Sequence, residues 1–206
     1  MTAGRPRGID DAAILRATVD VIGRVGPVGL TLAAVASEVG LVPGTLVQRF
    51  GSKRGLLLAL AQRAAEDADA LLGRVRADHK SALAALAALI VASAGSMATP
   101  ETFANHLAFL CIDLTDPEFR GPALAIHRAQ GRAIEALLTE SLVGGDLHPE
   151  TDVAALVGSV QAIASGAGLV WALDRRGSLE QRLRQALDSV LSPHLRRHRS
   201  DDPEES

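Results

Sequence analysis

The feature that most constrains the fold is a pair of short helical segments in "TLAAVASEVGLVPGTLVQRF", residues 31–50, separated at Gly40 and reopened at Pro43. Glycine suits the left-handed backbone that ends a helix, and proline suits the first turn of the next helix, where its missing N–H costs nothing. Helices of this length are marginal in water on their own. We therefore expect a third helix to bury their apolar sides.

The segment before this pair has the signals of that third helix. Asp10 is a good N-cap, and Ile9 can fold back on Ile14 as a hydrophobic staple. Gly26 and Pro27 are expected to end the helix. The N-terminal part of the chain therefore predicts a three-helix head with a helix-turn-helix.

The rest of the chain predicts only further helices, since no alternating strand pattern occurs. Ser52 is expected to cap a long helix starting near Lys53, and Ser178, with Gln181 three residues later, to cap the last one. With four Phe, one Trp and no Tyr, the core must be mostly Ala, Leu and Val. Further helices are predicted over residues 80–97, 100–114, 117–142 and 150–174.

The fold class is therefore predicted to be all-α, with a small head and a larger helical body. The head is expected over residues 9–55 and the ligand-binding and dimerisation body over 56–198. Residues 1–8, a basic arm with Arg5 and Arg7, and residues 199–206 are expected to be flexible tails.

The charge is distributed unevenly along the chain. Residues 1–54 contain seven basic and four acidic side chains, a net +3, which leaves −6 for the remainder of a chain whose net charge is −3. A basic end on an acidic body favours a polyanion-binding head. Ordinary surface charge is the alternative interpretation.

The turn geometry also predicts which residues face outwards. Ala36 and Leu46 are expected to point into the head, where the two helices approach closely. The second helix then presents its other face for the major groove of DNA. The residues on that outer face are Pro43, Gly44, Thr45, Val47, Gln48 and Arg49.

Sixteen residues of the head follow a recognisable order and spacing. They are Ile14, Leu15, Ala17, Gly26, Thr31, Val35, Ala36, Gly40, Gly44, Thr45, Leu46, Phe50, Ser52, Lys53, Leu56 and Leu57. In this pattern the head resembles the N-terminal domain of the TetR family of transcriptional repressors, over about residues 9–60. The run "GTL…F.SK..LL" is much rarer than a generic helix-turn-helix, whereas the body resembles the family only in length and helical character.

The resemblance implies roles for single residues. Thr31, Thr45 and Lys53 would contact phosphates, and Gln48 and Arg49 would reach base edges. Plain helix capping is the alternative for Thr31, and a solvated surface charge is the alternative for Arg49.

The sequence departs from the family at two positions of the same region. Val47 stands where the family usually has Tyr, and Val42 where a Ser or Thr cap is common. Each departure removes a hydroxyl contact to DNA.

Two histidines and an aromatic ring in the body suggest a small-molecule cavity. Phe103, His106 and Leu110 share one helix, and Leu124 and His127 share a face of the next. With so few aromatic residues the cavity would be mostly aliphatic, which favours a lipophilic ligand. The alternative is that both histidines are ordinary core or boundary residues.

Small and leucine residues near the C-terminus suggest a dimer surface. Gly166 and Gly168 permit close approach, and Leu183, Leu187 and Leu191 form a stripe on the last helix. The TetR resemblance implies that these two helices pair with a second copy as a four-helix bundle, which places two heads on a palindromic operator. A contact within one chain is the alternative.

Signals for an enzyme, a metal or a cofactor are poor. Cys111 is the only cysteine, is expected to be a buried inert thiol, and fits a reducing cytosol. His194 and His198 are four residues apart but lie among arginines, so no metal site is predicted, and no glycine-rich phosphate loop follows a strand. The most apolar run, "SALAALAALIVASAGSM", is too short to span a membrane. We therefore expect a cytoplasmic protein with no cofactor and no membrane partner.

The sequence as a whole predicts a ligand-responsive regulator that binds double-stranded DNA as a homodimer. A repressor, released from a palindromic operator by a small lipophilic effector, is the leading prediction, and an activator is not distinguished from it. The alternative is a helical small-molecule-binding protein or enzyme that retains the head only as structure.

Overall fold

A computed structural model describes residues 9–196, apart from the side chains of Asp69 and Asp113, and confirms the all-α prediction. Within that range the structure has nine α-helices, a 3₁₀ turn over Ser192–His194, and no strand beyond an isolated bridge between Leu147 and Leu195. The helices are α1 Asp11–Gly29, α2 Leu32–Glu38, α3 Pro43–Phe50, α4 Lys53–Asp78, α5 Ala82–Ser93, α6 Pro100–Thr115, α7 Pro117–Val143, α8 Val153–Asp174 and α9 Leu179–Leu191. The predicted tails, residues 1–8 and 199–206, lie outside the described residues.

The predicted helix starts are confirmed by their capping hydrogen bonds. The side chains of Asp10, Thr31, Ser52 and Ser178 each accept a hydrogen bond from a backbone N–H three residues further on. Gln181 returns the contact by accepting from the Ser178 N–H at 3.2 Å, which completes a capping box. These caps fix where α1, α2, α4 and α9 begin.

The predicted break at the end of α1 is a kink with one further turn of helix beyond it. Gly26 has φ +69° and ψ 171°, and helical backbone resumes to Gly29. Pro27 follows directly and has no N–H to donate to the carbonyl of Gly23. The side chain of Asn105 in α6 donates to that carbonyl instead, with Nδ2 2.8 Å from the oxygen.

The described residues form two buried clusters, one built mainly from α1 to α4 and the other from the later helices. The head cluster contains Ile14, Leu15, Val21, Ile22, Leu30, Val35, Ala36, Leu46, Leu56, Leu57, Leu60, Ala61 and Phe119. Phe119 belongs to α7 of the body, and the residues of α4 extend past the division predicted at 55/56. The head therefore rests on both α4 and the start of α7, which couples its position to the body.

Two body helices are shorter than predicted: polar caps start both of them later, and α5 also ends earlier, at Ser93. α5 begins at Ala82 after the cap Ser81, and α8 begins at Val153 after the cap Asp152. α8 is long and apolar enough, by length and composition, to cross a membrane. In this fold it packs with α7 and α9, and Leu156, Val160 and Trp171 lie in the body core.

Candidate DNA-binding face and ligand cavity

The turn between α2 and α3 has the geometry that its sequence predicts. Gly40 has φ +66°, and the N–H of Leu41 donates to the carbonyl of Ala36 at 2.8 Å. Ala36 and Leu46 are buried within the head. The inner sides of α2 and α3 are thus occupied by the chain's own core.

The opposite side of α3 is open. Pro43, Gly44, Val47 and Gln48 are exposed, and Gln48 makes no hydrogen bond within residues 9–196. Val42 precedes the helix without a side-chain cap, Pro43 has no N–H, and the Thr45 N–H donates to the Val42 carbonyl at 3.0 Å, which leaves the Gly44 N–H without a partner among the described residues. The outer face therefore offers the Gln48 amide and the Gly44 N–H to a ligand that carries hydrogen-bond acceptors.

Two of the predicted phosphate contacts also have structural roles. The Thr31 oxygen accepts from the N–H of Ala34 at 3.1 Å, which leaves its hydroxyl hydrogen free to donate. The Lys53 ammonium donates to the carbonyl of Val28 at 3.3 Å, and an ammonium has two further donors. The predicted third contact, Thr45, is half-buried. Capping and phosphate contact are therefore compatible at Thr31.

Arg49 is tied back to the start of α1, which the sequence did not indicate. Its Nη1 donates to the carbonyl of Ile9 at 2.7 Å and to Oδ1 of Asp11 at 3.1 Å. These bonds hold the end of α3 against α1, so Arg49 has to leave them, or use its remaining donors, to reach a base.

Arg54 clamps the head to the body. Its guanidinium makes a bidentate contact to Asp116, at 2.6 and 3.0 Å, and a further contact to Glu118 at 2.6 Å. The same group lies 5.1 Å from the centre of the Phe119 ring. Hydrogen bonding to Asp116, then to Glu118, raises the pKa of Arg54, and the bonds from Arg54 lower the pKa of Asp116.

The head therefore has fewer unpaired basic side chains than its net positive charge suggests. Arg24 pairs with Glu38, Arg49 with Asp11, and Arg54 with two acids. Among the described cations of residues 9–54, that leaves Arg16 and Lys53 without an acidic partner. Arg5 and Arg7 lie outside the described residues.

The main cavity, about 710 Å³, lies between α5, α6, α7, α8 and α9. Four of the five predicted ligand residues line it: Phe103, His106, Leu110 and His127. Leu124, the fifth predicted residue, is not among the residues that line this cavity. Ile126, two residues later, faces the cavity instead.

The two histidines have different surroundings. The His106 Nε2 is buried with no hydrogen-bond partner among the described residues, and burial lowers the pKa of this imidazole, an effect that Asp20 partly opposes. A Cβ at Gly23 of α1 would lie 3.5 Å from that nitrogen, so His106 stands between the cavity and the head. His127 is held by Gln161, whose Nε2 lies 3.2 Å from the ring Nδ1 and donates to the His127 carbonyl at 3.0 Å.

The close packing of the cavity wall leaves no room for a side chain at Gly168. A Cβ there would lie 2.6 Å from Cε2 of Phe103, whose ring stands edge-on to Trp171 with centroids 6.3 Å apart. The close approach therefore occurs within one chain. Gly166, two residues earlier, is exposed with open space around its Cα.

The three leucines predicted for the dimer surface face inwards. Leu183, Leu187 and Leu191 are at most 5% exposed and belong to the protomer's own core. The outer side of α8 carries exposed apolar residues instead, namely Leu169, Val170 and Leu173. The stripe on α9 is therefore a buried face of the protomer's own core, which agrees with the alternative of a contact within one chain.

The remaining predictions concern chemistry. Cys111 is exposed, so the expectation of a buried thiol is wrong. His198 lies outside the described residues, and within 9–196 no group of three or more His, Cys, Asp or Glu is placed to hold a metal.

Two contacts were not indicated by the sequence analysis: the hydrogen bond from Asn105 and the Arg54 clamp. Pro27 was the available signal for Asn105, because proline has no N–H to donate to the Gly23 carbonyl.

Comparison with known proteins agrees with this geometry. Residues 14–60 match the family described as "Bacterial regulatory proteins, tetR family". No curated protein matches the chain.

Three solved structures illustrate the shared fold. A TetR-family regulator from Rhodococcus sp. has a TM-score of 0.68 at 21% identity, covering 90% of this chain and 98% of its own. A regulator from Saccharomonospora viridis, solved with choline, has 0.71 at 19% identity, covering 91% and 98%. FadR from Bacillus subtilis, solved with stearoyl-CoA, has 0.61 at 20% identity, covering 87% and 96%.

Proposed function

We propose that the chain is a TetR-type transcriptional regulator and not an enzyme, and that it acts as a homodimeric repressor that a small lipophilic molecule releases from a palindromic operator. The observation that carries the proposal is the open outer face of α3, whose inner side is fixed by the fully buried Leu46. A rigid helix with one free polar face fits the major groove. The site of action is the cytoplasm.

Gln48 is the residue we propose for base recognition. Its amide is exposed and unpaired, and glutamine pairs bidentately with adenine in the major groove. Thr31, Thr45 and Lys53 contact phosphates on either side, with Pro43, Gly44 and Val47 lying against the groove wall. Arg49 acts as a second base contact once it leaves Ile9 and Asp11.

The main cavity is the proposed effector site. Its lining is mostly aliphatic, with Phe103, Leu110 and the two histidines among its members, which favours a lipophilic molecule with one or two polar groups. The neighbours solved with choline and with stearoyl-CoA support a small-molecule site in this fold, although they differ in ligand chemistry.

The coupling between effector and DNA runs through α6. This helix carries His106 on the cavity wall and Asn105 on the kink of α1, and it ends beside Asp116, which holds Arg54 of α4. A ligand that displaces α6 therefore acts on both supports of the head. Coupling of about 1–3 kcal/mol would change operator affinity by roughly 5–150-fold.

We propose that dimerisation uses the outer side of α8 and the neighbouring surface of α9. Gly166 allows close approach, and Leu169, Val170 and Leu173 supply exposed apolar area. A two-fold interface there places two α3 helices on successive half-sites.

The test is fluorescence anisotropy with the DNA upstream of the chain's own gene, titrated at several salt concentrations. Gln48→Ala is expected to lower specific affinity by about 1–3 kcal/mol and to leave non-specific binding unchanged. Gln62→Ala, at an exposed glutamine of α4, is the matched control. Equal affinity of wild type for this DNA and for unrelated DNA would contradict the proposal.

A second candidate function is a small-molecule carrier that keeps the head as structure. Val42 and Val47, both exposed and both apolar where hydroxyl contacts are expected, favour it. Two results together would favour this alternative. The anisotropy of every DNA tested would show no salt-dependent binding, and an apolar ligand would bind tightly, as reported by the fluorescence of Trp171 beside Phe103.

A further inference from the structure

A second cleft, about 630 Å³, lies between the first helix of the head and the body. One wall is α1, and the others are α4, α5 and α7; we call it the α1–α4 cleft. It meets the main cavity at a shared partition, since four residues line both spaces. The shared residues are Leu89, Ser93, Ile126 and Gln130.

The floor of the α1–α4 cleft is apolar and belongs to the two cores. Leu15, Leu60, Leu89 and Ala133 contribute to it, and all four are buried. Small residues of α4, Ala64 and Ala68, leave the space open. An alkyl chain laid on this floor would lose its contact with water, which is favourable in proportion to the apolar area removed.

The rim of the same cleft is cationic, although the body carries excess negative charge. Arg16 of α1 and Arg63 and Arg74 of α4 line it, against Asp67. Arg63 is paired with Asp67 at 3.0 Å. Arg16 and Arg74 have no ion-pair partner among the described side chains.

We propose that the α1–α4 cleft is a second ligand site, which binds an amphipathic anion: an alkyl chain on the apolar floor and a carboxylate or phosphate at the rim, where the guanidinium groups of Arg16 and Arg74 have no ion-pair partner among the described side chains. Guanidinium groups bind both anions through paired hydrogen bonds, and a neutral or cationic headgroup gains nothing from them. The occupant touches α1 of the head and α4 and α7 of the body at once. This binding does not depend on the effector role of the main cavity or on operator recognition.

Calorimetric titration of the full chain without DNA tests the proposal, with sodium decanoate and decyl phosphate below their micellar concentrations as probes. The double variant Arg16→Gln/Arg74→Gln is expected to bind both anions at least tenfold more weakly. Arg128→Gln/Arg176→Gln is the control, because it removes two exposed arginines outside the cleft. The control is expected to bind within twofold of wild type.

Two further arms locate the site. Ala64→Phe, which fills the floor without changing charge, is expected to weaken decanoate binding as well, and decyltrimethylammonium is expected not to bind in the cleft. Circular dichroism establishes that each variant is folded. Any of three results would overturn the proposal. Wild type binds neither anion, or the control variant loses as much anion affinity as the Arg16/Arg74 variant, or anion affinity is unchanged in both Ala64→Phe and the Arg16/Arg74 variant. A preference between decanoate and decyl phosphate identifies the headgroup.

Discussion

Asn105 is expected to hold the kink of α1, and its replacement by alanine is the most informative single change. Its Nδ2 donates to the Gly23 carbonyl at 2.8 Å, an oxygen that Pro27 cannot serve because proline has no N–H. Gly23 is buried, so Asn105→Ala leaves a carbonyl without a donor. The cost of such a group is about 1–3 kcal/mol in the free energy of unfolding.

Urea unfolding followed by circular dichroism measures this cost. Asn105→Gln keeps an amide donor and is expected to recover part of the loss, and Gln62→Ala on exposed α4 is the surface control. Gly26→Ala should also destabilise the protein, since φ is +69° and the new Cβ would lie 2.9 Å from the Asn105 Oδ1. The two changes should be non-additive, because Asn105→Ala removes the clashing atom. A value for Asn105→Ala within about 0.5 kcal/mol of wild type, the usual range for a surface change, would refute this reasoning.

Three further outcomes follow from the contacts. Arg54→Met should lower the free energy of unfolding at neutral pH, and its difference from wild type should vanish in acid. The pKa of Asp116 is lowered in the fold, so the stabilisation by the Arg54–Asp116 pair is present above the ordinary aspartate pKa and is lost as pH falls through the folded value. Urea unfolding of both proteins at several pH values measures this difference. The pKa of His106 is also lowered in the fold, so this imidazole binds a proton more readily in the unfolded chain, and the free energy of unfolding should fall as pH drops below about 6.5. His106→Gln should reduce this dependence of stability on pH. An unchanged dependence would exclude His106 as its cause. Gly168→Ala should lower the free energy of unfolding by about 1–3 kcal/mol, because its Cβ would lie 2.6 Å from Phe103. The same change should narrow the main cavity, so apolar ligands should quench or shift the fluorescence emission of Trp171 less than in wild type. A wild-type fluorescence response together with unchanged stability would contradict the packing described.

Local chemistry explains which parts of the fold the sequence could predict. Caps and turns are decided within a few residues, so Thr31, Ser52 and Ser178 mark their helices and Gly40 marks the turn. Helical periodicity likewise brought His106 and His127 to one cavity, since both follow the inward stripes of their helices.

Contacts between distant segments could not be predicted in the same way. Periodicity shows that a face is buried but not what covers it, so the stripe containing Leu187 was assigned to a partner although it packs in its own chain. A charge count does not show pairing, so Arg49 and Arg54 counted as free cations although Asp11 and Asp116 neutralise them. Spacing alone also does not separate neighbouring positions on α7, where Ile126 lines the main cavity and Leu124 does not.

The most direct test of operator binding through α3 is a hydroxyl-radical footprint of the purified chain on DNA upstream of its own gene. The proposed dimer predicts two protected half-sites related by two-fold symmetry and separated by about one DNA turn or more. It also predicts that Gln48→Ala abolishes both half-sites at protein concentrations where wild type protects them. A single asymmetric patch, or protection unchanged in Gln48→Ala and lost only in variants of the α1–α4 cleft, would contradict it.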